Sequence, residues 1–134
     1  MLAPVFVHVM LVIALVIATG RGRVAAVRAG EVRLKDVALE GSRWPERLRK
    51  LANNYQNQFE LPVLFYALCG FLAITQLTSV LLLACAWGYV FLRAAHTFVH
   101  LTSNKVIRRF QLFFASSIVL YVMWALFLVR LLTA

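Results

Sequence analysis

Residues 61–92, LPVLFYALCGFLAITQLTSVLLLACAWGYVFL, run for 32 positions without an Asp, Glu, Lys or Arg. One membrane-spanning helix needs about 20 residues and two need about 40 with a turn between them, so this stretch is too long for one span and too short for two. The polar break Thr75-Gln76-Leu77-Thr78-Ser79 divides it. It reads as two helices joined by a tight turn, each drawing the rest of its length from polar sequence outside. Further out, Met1–Gly20 and Phe110–Val129 are uncharged runs of 20 residues each. The expected fold class is all-α: an integral membrane four-helix bundle forming a single transmembrane domain over 1–134. The spans fall at about 2–20, 45–75, 79–102 and 107–132, with a cytoplasmic loop at about 21–43.

Composition excludes the alternatives. Of 134 residues, 63% are hydrophobic and 14% charged, and the mean hydropathy is +0.83. A soluble domain of this size cannot bury that much apolar surface, and disordered or fibrous chains do not carry it. The charge is also unevenly placed. Arg21 to Lys50 holds nine Lys or Arg against four acids, the connection before the last span adds Lys105, Arg108 and Arg109, and the first residues and the Gln76–Ser79 turn have none. The positive-inside rule then puts both basic loops in the cytoplasm and both termini outside. The formal net charge of +9 is explained by basic loops beside anionic lipid and calls for no nucleic acid. Met1–Gly20 lacks the basic leader of a signal peptide and stays as the first span. Cys69 and Cys85 lie in the second and third spans without metal or redox spacing, so no metal site and no structural disulfide is expected.

Because the second and third spans borrow polar sequence, Asn53, Asn57, Glu60, Arg93, His96 and His100 come to lie within or at the edge of the membrane. Ionisable groups at that depth are costly unless they face a bundle interior or a wet cavity. About a turn centred between Leu77 and Thr78, equal depth means residue numbers summing to about 155. That sets Glu60 level with Ala95, between Arg93 and His96, roughly 26 Å from the turn. Similar counting around Ser103–Val106 sets Arg109 level with His100. Asn53, Asn57 and Glu60 share one helix face, and so do Arg93, His96 and His100. Pro62 should kink the second span just beyond Glu60. Two readings stay open: a binding site, or Glu60 neutralising Arg93 with Asn and His side chains as interhelical glue. His8 and the three tryptophans read as packing or interface residues.

These residues resemble those of MAPEG, the membrane-associated proteins in eicosanoid and glutathione metabolism. Asn57-Gln58-Phe59-Glu60 followed by Pro62 looks like the family's Asn-x-x-Glu. Arg93-Ala94-Ala95-His96-Thr97 is similar to the Arg-x-Ala-His-Thr of the microsomal prostaglandin E synthase and microsomal glutathione transferase branch. Arg109 falls at the spacing of that branch's arginine in the last span, and Thr19-Gly20-Arg21-Gly22-Arg23 resembles its Thr-Gly-x-x-Arg. The resemblance implies a homotrimer, here a bacterial-type member of the inner membrane, that binds glutathione between protomers on the cytoplasmic side. It implies a transferase or peroxidase acting on lipophilic small molecules from the bilayer. Arg109 would stabilise the thiolate as the catalytic residue, and Arg23, Asn57, Glu60, Arg93, His96 and His100 would bind glutathione.

The chain also departs from the pattern. Asn53 stands where the family has an arginine, His100 where the branch has a tyrosine, and Phe110 and Phe113 where hydroxyl side chains are usual. A second reading is therefore a non-catalytic protein of this fold that binds another anionic ligand or a membrane partner. A third is a small proton-coupled multidrug transporter using Glu60.

Overall fold

The computed structural model describes residues 1–133. Helix α1 (Leu2–Arg28) is followed by the single turn α2 (Leu34–Val37), a 3-10 turn at Gly41–Arg43, and then α3 (Glu46–Gln56), α4 (Leu61–Ile74), α5 (Val80–Leu101) and α6 (Val106–Thr133). Four stretches are long and apolar enough to cross a membrane: α1, α3 with α4, α5 and α6. The protein is an all-helical, four-span membrane bundle.

The first span does not end at Gly20. It continues to Arg28, so the loop expected to begin at Arg21 begins at Ala29. Gly20 and Gly22 are helical and do not terminate it; the stop is Gly30, whose φ of 72° suits glycine. The Gly30 amide donates to the Val27 carbonyl and the Glu31 amide to Ala26, a Schellman ending. At about 1.5 Å per residue, α1 is roughly 10 Å longer than the apolar core is thick, so its basic last turns stand outside the membrane. There α3 docks on it. A Cβ added to Gly22 would lie 2.5 Å from Leu48 Cδ2, and Leu48 and Ala26 are buried.

The second span is broken as well as kinked. Residues 57–60 belong to no helix, and α4 restarts with Pro62 at its beginning, where the missing N–H costs nothing. Its 14 residues reach only about 21 Å, so the break and the end of α3 enter the membrane. The turn between α4 and α5 holds Gln76 with φ 57°, and Ser79 caps α5 by accepting from the Leu82 amide. Away from the charged loops, Phe65, Leu68 and Leu72 of α4 pack with Leu82, Ala86 and Val90 of α5 and Leu120, Met123 and Phe127 of α6.

Candidate functional site

A break in a transmembrane helix frees backbone carbonyls where no water is at hand, and something must answer them. Here the answer comes from α5. The Arg93 guanidinium donates to the Asn57 carbonyl at 2.6 Å and to Gln58 Oε1 at 3.0 Å. Gln58 Nε2 in turn donates to the Asn54 carbonyl, Asn54 Oδ1 and Thr97 Oγ1, while Thr97 donates to Asn54 Oδ1 at 3.1 Å. Asn54, Gln58 and Arg93 are wholly buried and Thr97 nearly so. Arg93 thus caps the open end of α3, where its positive charge also meets the negative end of the helix dipole. The Phe113 ring lies 5.8 Å from the guanidinium carbon, so the phenylalanine in a hydroxyl's place offers Arg93 a π face.

Depth counting therefore gave the right level and the wrong face. Gln58 meets Thr97, a pair summing to 155, but the residues turned inward are Asn54 of α3 and Gln58 of the break rather than Asn53, Asn57 and Glu60. Glu60 is exposed, Asn57 half-buried, and Glu60 makes no ion pair with Arg93 among the described residues. Only the Asn57 carbonyl, not its side chain, enters the network. The signal for the inward face was present as Asn54 and Gln58 at i, i+4, opposite Thr97. It was masked because the break rotates the chain between α3 and α4.

Closer to the charged end, a cavity of 790 Å³ opens between α1, α3 and the α5–α6 connection. Arg23, Arg49, Lys50 and Arg109 line it, with His100 and Asn104, against a single acid, Glu46, which pairs with Lys50 at 2.8 Å. Each cation is held differently. Arg23 lies 5.1 Å over the Trp44 ring, and Arg109 donates to Asn104 Oδ1 at 2.8 Å. Asn104 sits at the end of α5 with φ 48°, its amide donating to Val99, so a left-handed helix ending presents the side chain that orients Arg109. The buried imidazoles of His96 and His100 are 5.9 Å apart.

Of the residues expected to form a site, Arg23, His100 and Arg109 line this cavity; Asn57, Glu60, Arg93 and His96 do not. The cavity adds Trp44, Arg49, Lys50, Asn53 and Asn104. Arg49 stands one turn before Asn53, so the position that lacks the family's arginine has a cation beside it. Phe110 is exposed and does not line the cavity.

A four-span bundle with a broken second span and a cation-lined cavity at its charged end agrees with the family-model comparison, which matches residues 1–129 to the MAPEG family. The chain belongs to the MAPEG family. No individual curated protein and no solved structure matches it. Membership in MAPEG covers glutathione transferases and non-catalytic members alike, and it removes the support for a multidrug transporter.

Proposed function

We propose that this MAPEG protein binds glutathione in the cation-lined cavity and transfers its thiolate to lipophilic electrophiles, or reduces lipophilic peroxides with it. The observation that carries the reading is the charge of the cavity: four cations from α1, α3 and α6 against one acid. Glutathione brings two carboxylates, one ammonium and a thiol. Arg23, Arg49 and Lys50 suit the carboxylates, and Glu46 suits the ammonium. Arg109, fixed by Asn104 at the start of α6, is the cation for the thiolate. A thiol of pKa about 8.5 is lowered by a neighbouring guanidinium and by the positive end of a helix, which enriches the nucleophile at neutral pH. The electrophile would arrive laterally from the bilayer.

A homotrimer fits the same picture, because Phe59 is 52% exposed and Glu60 also lies open at membrane depth, a surface that a neighbouring protomer would cover. Charge counting supports basic loops in the cytoplasm and termini in the periplasm of a bacterial inner membrane. Because Asn57, Glu60, Arg93 and His96 stand outside the cavity, a second reading is that it holds another anionic ligand without turnover. Titrating glutathione into the detergent-solubilised protein by calorimetry separates the two. Saturable binding weakened at least tenfold by Arg109→Ala, with a thiolate absorbance band on the bound form, supports catalysis. A folded protein that does not bind glutathione leaves the second reading.

A further inference from the structure

Helix α1 has a second face that neither the core nor the cation-lined cavity uses. It buries Pro4, His8, Leu15, Thr19 and Ala26 along one stripe. At about 3.6 residues per turn, Ile13, Ile17, Arg21, Val24 and Arg28 fall together on the opposite stripe, and all five are exposed. The stripe changes character at Gly20. On the membrane side stand Ile13 and Ile17; on the other stands Arg21, the first charged side chain of the sequence. The surface is concave at this junction, where a groove of 460 Å³ is lined by Gly20, Arg21, Val24, Ala25 and Arg28. A Cβ added to Gly20 would meet nothing within 4 Å, so the glycine leaves the groove open at its membrane end. Gly20 is also the one residue that lines both this groove and the cavity, which lie on different sides of α1.

The groove joins two chemistries at the depth where a lipid joins them. The uncharged run of α1 ends at Gly20, and the headgroup layer beyond an apolar core is about 5–8 Å thick. Arg21 and Arg28 lie about 10 Å apart along the helix axis, so they bracket that layer. Long arginine side chains can swing along the helix to meet one phosphate held between them over Val24 and Ala25, and the guanidinium fork suits phosphate oxygens. The groove contains two cations and no acid. With no carboxylate to receive an ammonium, a zwitterionic headgroup matches it less well than a net-negative one. An acyl chain below such a headgroup would run over Ile17 and Ile13, which are 52% and 43% exposed. A free anion makes no use of that apolar continuation.

We propose that this groove on α1 binds an acidic phospholipid from the leaflet beside the basic loops. Arg21 and Arg28 hold the phosphate, and Ile13 and Ile17 carry an acyl chain. The lipid then fastens the end of α1 that forms one wall of the cavity, without entering the cavity itself.

The test uses the full-length protein in mixed micelles holding equal amounts of phosphatidylglycerol and phosphatidylcholine with the same acyl chains, and native mass spectrometry counts the lipids retained. The wild type should retain phosphatidylglycerol in preference. The double variant Arg21→Gln with Arg28→Gln, both at exposed positions, should lower that retention about tenfold, and Arg21→Lys with Arg28→Lys should recover part of it. Arg49→Gln in the cavity should leave it intact, and excess glycerol phosphate, which has the headgroup chemistry without acyl chains, should not displace the lipid. A wild type without preference would overturn the proposal, as would a glutamine double variant that retains phosphatidylglycerol fully. Loss with Arg49→Gln would place the lipid in the cavity, and displacement by glycerol phosphate would make the groove a site for free anions; either overturns it. The same spectra give the oligomeric mass, and a smaller assembly in the glutamine double variant would make this face a contact between copies instead.

Discussion

The two ends of the bundle are built on opposite terms. Toward the Gln76 turn, α4, α5 and α6 meet through Phe65, Leu68, Leu72, Leu82, Leu120 and Met123, all fully buried and all apolar. Toward the charged end, the buried positions between α3, the break and α5 include Asn54, Gln58, Arg93, Thr97 and His100. Lipid tails are as apolar as leucine, so the first half is held by close packing, and shape decides its stability. The second half holds by matching donors to acceptors, where a missing partner costs more than a missing methyl. One half is a scaffold, and the other pays in polarity for a broken helix and a cavity beside it.

The sharpest way to break that contrast is one kind of substitution placed in each half. Gln58→Met keeps the volume and removes the amide, leaving Arg93 with the Asn57 carbonyl alone and the Asn54 carbonyl and Thr97 without the Gln58 donor. It should cost about 4 kcal/mol. Leu72→Met, equally conservative in volume, should cost less than about 1.5 kcal/mol. Reversible unfolding in mixed detergent micelles measures both, and equal costs would erase the distinction between the halves.

The same contrast explains what the sequence could disclose. Uncharged runs report the length of an apolar span directly, so the four spans and their antiparallel order are legible in residues 61–92 and the two outer runs. Helix endings are set by backbone geometry, and Gly30 stops α1 where Gly20 and Gly22 do not because only Gly30 has a positive φ. The level of the polar layer follows from residue counting. Its inward face does not, because four non-helical residues at 57–60 reset the rotation between α3 and α4. The cavity was legible in part: Arg23, His100 and Arg109 come from motif positions and Arg49 from the helix turn before Asn53, while Trp44 and Asn104 reach it through loop and cap geometry that no periodicity encodes.

Between these halves and the first loop lies the crossing of α1 with α3. Gly22→Val drives a branched side chain into Leu48, which is 2% exposed and has little room to yield. A loss of about 2 kcal/mol is expected, together with weaker ligand binding, since the two helices form opposite walls of the cavity. Gly20→Ala meets nothing within 4 Å and should be neutral or slightly stabilising in the helix. Asn104→Ala acts on one wall alone. It removes the acceptor for Arg109 and places alanine at φ 48°, for about 1 kcal/mol of stability. Calorimetry should show a larger loss in ligand affinity than that stability change suggests, because Arg109 is then free to swing out of the cavity.

The smallest effect sets the exposed arginine against the buried one. Arg47 donates to Glu31 at 2.8 Å across the first loop, with both side chains open to solvent. That hydrogen bond holds the Glu31 carboxyl below its ordinary value of 4.5. A depressed carboxylate contributes stability above the pKa it has in the unfolded chain, and the contribution disappears as pH falls through the lowered folded value. Glu31→Gln should therefore differ slightly from wild type at neutral pH and merge with it in acid, and added salt should shrink the difference at pH 7. Arg93, wholly enclosed by protein with no carboxylate bonded to it, should show no such merging when Gln58→Met unbalances it. Two curves of unfolding midpoint against pH, one for each variant, compare a charge that water can screen with one that only the fold can satisfy.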